Sequence, residues 1–410
     1  TIIFIIFLSD ISFSQNETGM MRGVVKDEAT GEGLPFVTVQ ILGTKLGTNS
    51  NSNGLFVIKG IPKGKHKIQI TAMGYQRKTE EFDFEKVENK VYLFKLKPEP
   101  VQLSSVVKEA ERVRAEYYTN ISVQNMTAED LKIIPLPVEK DIFRSLKTVP
   151  GVSSTSDVSG QFYVRGGSGD QNLILYDDML IYNPFHALGI FSIFDGNAVK
   201  SYEPQTGGFD PEFGGRLSSV LNITTKDGNR NYYNAGLNLG MLSLHGFASG
   251  PTPYGTASIY FRKSLFDEIL KKYTNQDLAV SFYDISGKLT VDFTESGKIS
   301  FNIFNSGDKI PAYDISAPDY TWKNSAYSFN FQSFITQFIF NASYSYSDYN
   351  LSMDFSSPEY GTRAESKLNN NRVSMKAEYL YENNDITSCG INAFYLESRF
   401  KAANDYNLPI

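Results

Sequence analysis

A chain of 410 residues is too long for one ordinary domain, so two or three folded units are expected. Aromatics reach 14%, with 25 Tyr and 30 Phe, yet no apolar run approaches the roughly 20 residues of a spanning helix, so any membrane crossing must use strands. The net charge of -6 without a Lys/Arg-rich block excludes nucleic acid as an expected partner, and the lone Cys389 excludes an internal disulfide.

Ile2 to Leu8 is an unbroken apolar run followed by Ser12, Phe13 and Ser14 before Gln15, the pattern of an apolar core and a small-x-small cleavage site. Residues 1–14 are therefore read as a signal peptide, incomplete because its basic start is missing and residue 1 is Thr. A buried strand is the alternative. No Cys follows the run, which argues against lipid attachment there.

From residue 20 to 98 the signals are all β: Gly23 to Lys26, Phe36 to Leu42, Gly54 to Lys59, Lys65 to Ala72 and Lys90 to Lys97, separated by turn clusters at Asp27 to Gly33 and Thr48 to Gly54. Many short strands over this length predict a β-sandwich. The ordered pieces Gly23-Val24-Val25, Thr30-Gly31-Glu32, Leu34-Pro35, Gly54-Leu55-Phe56, Ile61 to Gly64 and Gly74-Tyr75 resemble the carboxypeptidase regulatory-like, transthyretin-type domain. That resemblance covers an accessory module and implies no peptidase.

Residues 99–115 read as a linker. Within it Val101 to Val107 is a short extended segment ahead of the charged Lys108 to Arg114, suited to pairing with another protein's sheet edge through its main chain. A last sandwich strand or a plain linker explains it equally well.

From residue 116 to 228 small helices lie among many turns. Thr127 is placed to cap a first helix with Asp130 three residues on, and Val138, Ile142 and Leu146 share one face of a second helix that stops at Pro150-Gly151. Then follow Phe162 to Gly167, a strand at Leu173 to Tyr176, the turn Asp177-Asp178, Met179 to Tyr182, Val199 to Glu203, Gly207-Gly208-Phe209, Phe213 to Arg216, and Val220 to Thr225 before Lys226-Asp227-Gly228. This order resembles the plug domain of TonB-dependent receptors. The family has Asp-Gly in the turn after its central strand; here Asp178 replaces the Gly, a residue that tolerates left-handed backbone better than most. The resemblance implies that Arg165 and Arg216 face acids of a barrel wall, with Gly166, Gly167, Gly214 and Gly215 allowing close approach. It also places Leu103, Ser104, Ser105, Val106 and Val107 where a TonB box stands. Tyr182, Asn183 and His186, in a loop rich in Pro, Gly and aromatics, are candidates for ligand contact at the outer mouth of the pore; packing against the wall is the competing reading.

After Gly228 the period becomes two. In Tyr283 to Phe293 the odd positions Tyr283, Ile285, Leu289, Val291 and Phe293 are apolar against Asp284, Ser286, Lys288, Thr290 and Asp292, and Ile299, Phe301 and Ile303 resume the pattern after the turn Thr294 to Gly297. Ala235 to Met241, Ala257 to Phe261 and Val373 to Tyr381 alternate likewise. Between Phe340 and Phe355 the apolar parity shifts from even to odd, which predicts a two-residue hairpin at Ser347-Asp348. Residues 229–410 are thus read as part of a transmembrane β-barrel, too few for the about 22 strands of a plugged transporter. The end at Ile410 is accordingly read as a truncation.

The fold class is mostly β: an N-terminal sandwich, an α+β plug and the first strands of a barrel. The scattered His66, His186 and His245 match no metal spacing, and neither G-x-S-x-G nor G-K-[ST] occurs, so no enzyme, metal or cofactor is expected. The resemblance implies TonB-dependent import of a nutrient (metal chelate, oligosaccharide or peptide) across the outer membrane, with the sandwich and plug on the periplasmic side. The implied partners are the TonB energy-coupling complex, the small-molecule or oligomeric ligand, outer-membrane lipid and a surface lipoprotein. The alternative is an adhesion or scaffolding protein that uses the sandwich to bind.

Overall fold

The computed structural model describes residues 19–85, 90–99, 122–133, 141–155, 159–240, 242–265, 280–312, 318–335, 337–355, 362–381 and 386–404. The signal-peptide segment, the stretch 103–107 and Val138 lie outside them. Among the described residues no helix is long and apolar enough to cross a membrane.

The first unit is a β-sandwich. Strands β1 (Gly19–Asp27), β2 (Thr38–Ile41), β3 (Gly47–Asn49), β4 (Leu55–Ile61), β5 (Lys65–Thr71), β6 (Lys78–Asp83) and β7 (Val91–Leu96) form two sheets, ordered β4-β1-β7 and β3-β2-β5-β6. Alternation fixes the inner faces: Met21, Val25, Phe56, Ile58 and Phe94 meet Val39, Ile41, Ile68 and Ile70 in one core. Strands β3 and β6 escape the sequence reading because both are edges with no apolar period; β6 reads Lys-Thr-Glu-Glu-Phe-Asp.

The second unit has a five-stranded mixed sheet at its centre. Its strands are β8 (Met126–Thr127), β11 (Asn172–Tyr176), β12 (Met179–Leu180), β15 (Val199–Gln205) and β16 (Ser219–Thr225), ordered β12-β11-β16-β15-β8, with β11 and β16 parallel. Two small pairs flank it: β9 (Val152–Ser153) with β10 (Tyr163–Val164), and β13 (Phe185–His186) with β14 (Phe191–Ser192). At the start of helix α1 (Asp130–Ile133) the Asp130 carboxylate accepts from both the amide (2.7 Å) and the hydroxyl (2.9 Å) of Thr127. Helix α2 (Ile142–Ser145) starts at Asp141, whose carboxylate accepts from the Arg144 amide (3.1 Å).

The third unit is a wall of antiparallel strands: β17 (Asn234–Leu239), β18 (Ser243–Thr252), β19 (Gly255–Ser264), β20 (Ser281–Thr294), β21 (Gly297–Ile310), β22 (Asp319–Ile335), β23 (Phe338–Phe355), β24 (Thr362–Leu380) and β25 (Ile386–Asn404). Each pairs with the next in chain order. Leu289, Phe293, Phe301 and Ile303 point outward, while Thr290, Asn302 and Ser328 face the plug and are buried. Apolar outside and polar inside is the arrangement of a membrane barrel.

One expectation fails. There is no hairpin at Ser347-Asp348: β23 runs unbroken through it, paired with β22 on one side and β24 on the other. The parity shift marks a change of surroundings instead. Tyr344 faces outward, whereas Tyr349 and Leu351 turn inward and join Trp322 and Tyr182 in an apolar cluster between wall and plug.

Connections differ at the two ends of the wall. Those joining β18 to β19, β20 to β21 and β22 to β23 span two residues each, while 265–280, 311–318 and 356–361 separate strands at the opposite end. Short turns mark the periplasmic end of an outer-membrane barrel and long loops the outer end.

Candidate functional site: the plug against its wall

The β11–β12 turn carries the first contact. Asp177 (φ 47°) and Asp178 (φ 66°) both sit in the left-handed region, which makes a primed two-residue turn without the family's glycine. Hydrogen bonds hold it there. The Asp177 carboxylate accepts from the amide (3.1 Å) and hydroxyl of Thr225 and from wall Lys288 (3.2 Å). The wall also donates to the turn's carbonyls, Ser328 to Asp177 (2.7 Å) and Ser345 to Asp178 (3.0 Å). Burial pushes the Asp178 carboxyl up from its ordinary value, with the wall's Arg372 pulling against it.

Asp227, where the chain leaves the plug for the wall, is the densest electrostatic point. It is buried, with Lys298 Nζ at 2.9 Å, Lys288 Nζ at 3.2 Å, Arg230 at 3.8 Å and Lys200 Nζ at 3.9 Å. Burial alone would raise its carboxyl; these cations overcome that and hold it well below the usual carboxylate range.

His186 anchors the opposite end. It is fully buried, stacked on Phe282 (4.3 Å), with Nδ1 2.6 Å from Asp308 and Nε2 3.3 Å from Asp284. Asp308 also accepts from the Ala187 amide (3.0 Å), and Arg262 donates to both Asp284 and the Ser192 carbonyl (2.7 Å each). Nearby, Asn183 (φ 40°) donates to the Tyr349 hydroxyl (3.3 Å), and Tyr182 packs beside that same tyrosine. The segment Tyr182 to His186 does lie toward the long-loop end, next to the strand ends at Phe282 and Ile310. Its side chains, however, are engaged with the wall. Both ring nitrogens of His186 lie on wall carboxylates, the packing alternative of the sequence reading.

The residues expected to contact the wall are placed differently. Arg165 (φ 49°) is exposed and donates to Ser122 (3.1 Å), and Arg216 is half-buried and donates to the Gly215 carbonyl (2.7 Å). A side chain at Gly167 would strike Ser218 of the plug itself, and ones at Gly166 or Gly214 would meet nothing within 4 Å; only Gly215 approaches the wall, 3.9 Å from Phe394. Around the described strands the polarity is mostly the reverse of the expectation: carboxylates from the plug side meet wall cations, as in Asp177 with Lys288, Asp227 with Lys298 and Glu212 with Lys376 (3.4 Å). His186 supplies the expected polarity, a plug base on wall acids. The available signal was Lys288, a cation on the polar parity of an otherwise clean alternation.

Such a contact can be opened. A neutral hydrogen bond is worth about 0.5–1.5 kcal/mol net and one to a charged group about 1.5–3 kcal/mol, because water replaces the partner when it breaks. A plug held by polar contacts therefore keeps its position yet can exchange those contacts for solvent. Among the described residues no cluster of His, Cys, Asp and Glu is arranged to hold a metal ion.

Comparison with known proteins agrees with this architecture. Residues 21–108 match the family model of the CarboxypepD_reg-like domain, and residues 116–219 that of the TonB-dependent receptor plug domain. No curated protein matches the chain. Solved structures of similar fold include the siderophore receptor PirA from Acinetobacter baumannii (TM-score 0.52, 19% identity, 68% of this chain and 48% of that one). The ferric yersiniabactin uptake receptor FyuA from Yersinia pestis (0.51, 14%, 70% and 50%) and the ferric citrate transporter FecA (0.51, 12%, 69% and 48%) are also similar. The chain spans about half the length of these structures.

Proposed function

We propose that this chain, which joins a carboxypeptidase regulatory-like sandwich to a TonB-dependent receptor plug and its barrel wall, serves TonB-dependent import of a nutrient ligand across the outer membrane. The observation that carries the reading is a folded plug seated on the polar inner face of the wall by contacts water can replace. An adhesin has no need of such an occluder.

A metal chelate is the favoured ligand class, since structures of similar fold bear the names siderophore receptor and ferric citrate transporter. Residues 1–14 serve export, and 103–107 supply the strand that pairs with TonB. Outer-membrane lipid covers the outward Leu and Phe band, and a surface lipoprotein is the remaining proposed partner. Uptake by cells with and without TonB tests the reading: a labelled ferric chelate should enter only when TonB is present. Equal uptake in both overturns it, and TonB-dependent uptake of an oligosaccharide or peptide instead replaces the ligand class. Deleting 103–107 should abolish uptake and spare binding.

A further inference from the structure

Strand β1 has an unusual outer face for a sandwich. Its inward positions Met21 and Val25 fill the core, but the outward Arg22 and Val24 are each only 3% exposed, and outward Leu55 of β4 is buried too. What covers them is the barrel. Val24 and Leu55 pack on Phe334 and Leu380, and the Arg22 guanidinium lies 5.3 Å over the Phe334 ring. These wall residues belong to the short-turn end, where Lys26 also meets Glu295 (2.8 Å).

From that seat one turn reaches the junction between plug and wall. The Asp27 carboxylate shapes the turn by accepting from the amides of Ala29 (2.6 Å) and Thr30 (3.1 Å), and Tyr75 steadies Asp27 by donating to it (2.8 Å). The Thr30 carbonyl accepts from the Arg230 amide (2.7 Å), and Glu32 accepts from the Asp227 amide (2.8 Å), 3.6 Å from Lys200. Gly31 (φ 73°) passes so close that a side chain there would lie 3.0 Å from Arg230 Cβ. In a free sandwich Thr30-Gly31-Glu32 would be a surface turn. Here it grips the two residues that flank the plug's exit.

We infer that the sandwich is a latch on the plug: docked on the short-turn mouth, it clamps residues 227–230 and must undock before the plug can move. The physical reason is that Asp227 belongs to all three units at once. Its carboxylate ties plug to wall through Lys298 and Lys288, and its amide ties both to Glu32. Plug displacement breaks the clamp, and the clamp in turn opposes displacement. The inference rests on the import reading only for its consequence in transport, so its test carries a readout that does not depend on uptake.

The full-length receptor with Cys389→Ser, in outer-membrane vesicles, would carry Val24→Glu, which places a charge against Phe334 and Leu380 while leaving the sandwich core intact. Protease resistance of the sandwich checks that it still folds. Hydrogen exchange at 225–230 should rise at least tenfold over the parent, and exchange unchanged in a variant shown to be undocked overturns the latch. In a second arm Lys26→Cys and Glu295→Cys are joined by a cleavable bismaleimide. Uptake of a ferric chelate should stop on joining and recover on cleavage, with exchange at 225–230 as low as in the parent. Full uptake by the joined receptor overturns the need to undock. If the parent imports nothing, the import reading fails while the exchange arm still decides the latch.

Discussion

The sandwich and the barrel wall are written in the same period of two and resolve it in opposite senses. In β1 and β5 the apolar set, Met21, Val25, Ile68 and Ile70, turns inward; in β20 and β21 the equivalent set, Leu289, Phe293, Phe301 and Ile303, turns outward. The wall instead faces its plug largely with Ser, Thr, Asn, Asp and Lys, joined at a few points by aromatics such as Trp322, Tyr349 and Phe282. Period reports that a strand has two unlike faces, and the medium beyond each face decides which of them is apolar.

The largest break in the comparison should come from Phe94→Ala, which empties the sandwich core where Phe94 meets Phe56 (5.9 Å). We expect a loss of about 4 kcal/mol, within the usual range for buried aromatics. Urea unfolding followed by proteolysis should show the sandwich lost and the wall intact. Coupled loss of the wall would show that the units do not fold separately.

Asp227→Ala should cost about 3–4 kcal/mol, because Lys288 and Lys298 are left buried without their shared carboxylate. Hydrogen exchange should localise that loss to the plug and to residues 225–230. On the outer face, Leu289→Arg should cost about 2–3 kcal/mol in a bilayer, since a cation then faces hydrocarbon. In detergent, where the head group reaches water, the penalty should shrink. Equal penalties in both media would mean that Leu289 does not face lipid.

The smallest effect is a pH dependence within the plug. Burial, with repulsion from Glu212 behind it, pushes the Glu203 carboxyl up to about 7. The folded plug therefore holds this proton over a range in which the unfolded chain has released it. Stability is fully present below the ordinary carboxylate value and falls as pH rises through about 7. Glu203→Gln should flatten that dependence and raise stability at pH 8. Unfolding midpoints at pH 5 and pH 8 compare the two proteins, and an unchanged slope would rule Glu203 out as its source.

Legibility followed the local signals. Strands with a clean alternation, such as Tyr283 to Phe293, could be read because one face meets one uniform medium. The turn at Asp177-Asp178 was readable because two short acidic side chains tolerate left-handed backbone. The edge strand Lys78–Asp83 was not, since its exposed faces impose no period. The inward turn of Tyr349 was misread as a hairpin because an apolar residue opposite the plug looks locally like one facing lipid.

The sequence by itself determined the order of units, the alternating strands and the plug's succession of turns, all of which depend on residues a few positions apart. Only the tertiary structure decided which charges meet. Asp227, Lys288 and Glu32 are remote in the chain, and nothing local marks them as neighbours. The same holds for His186, whose carboxylates lie 98 and 122 residues away. A buried ion pair depends on how three surfaces close on one another, and that closure is written in shape and packing, not in any local period.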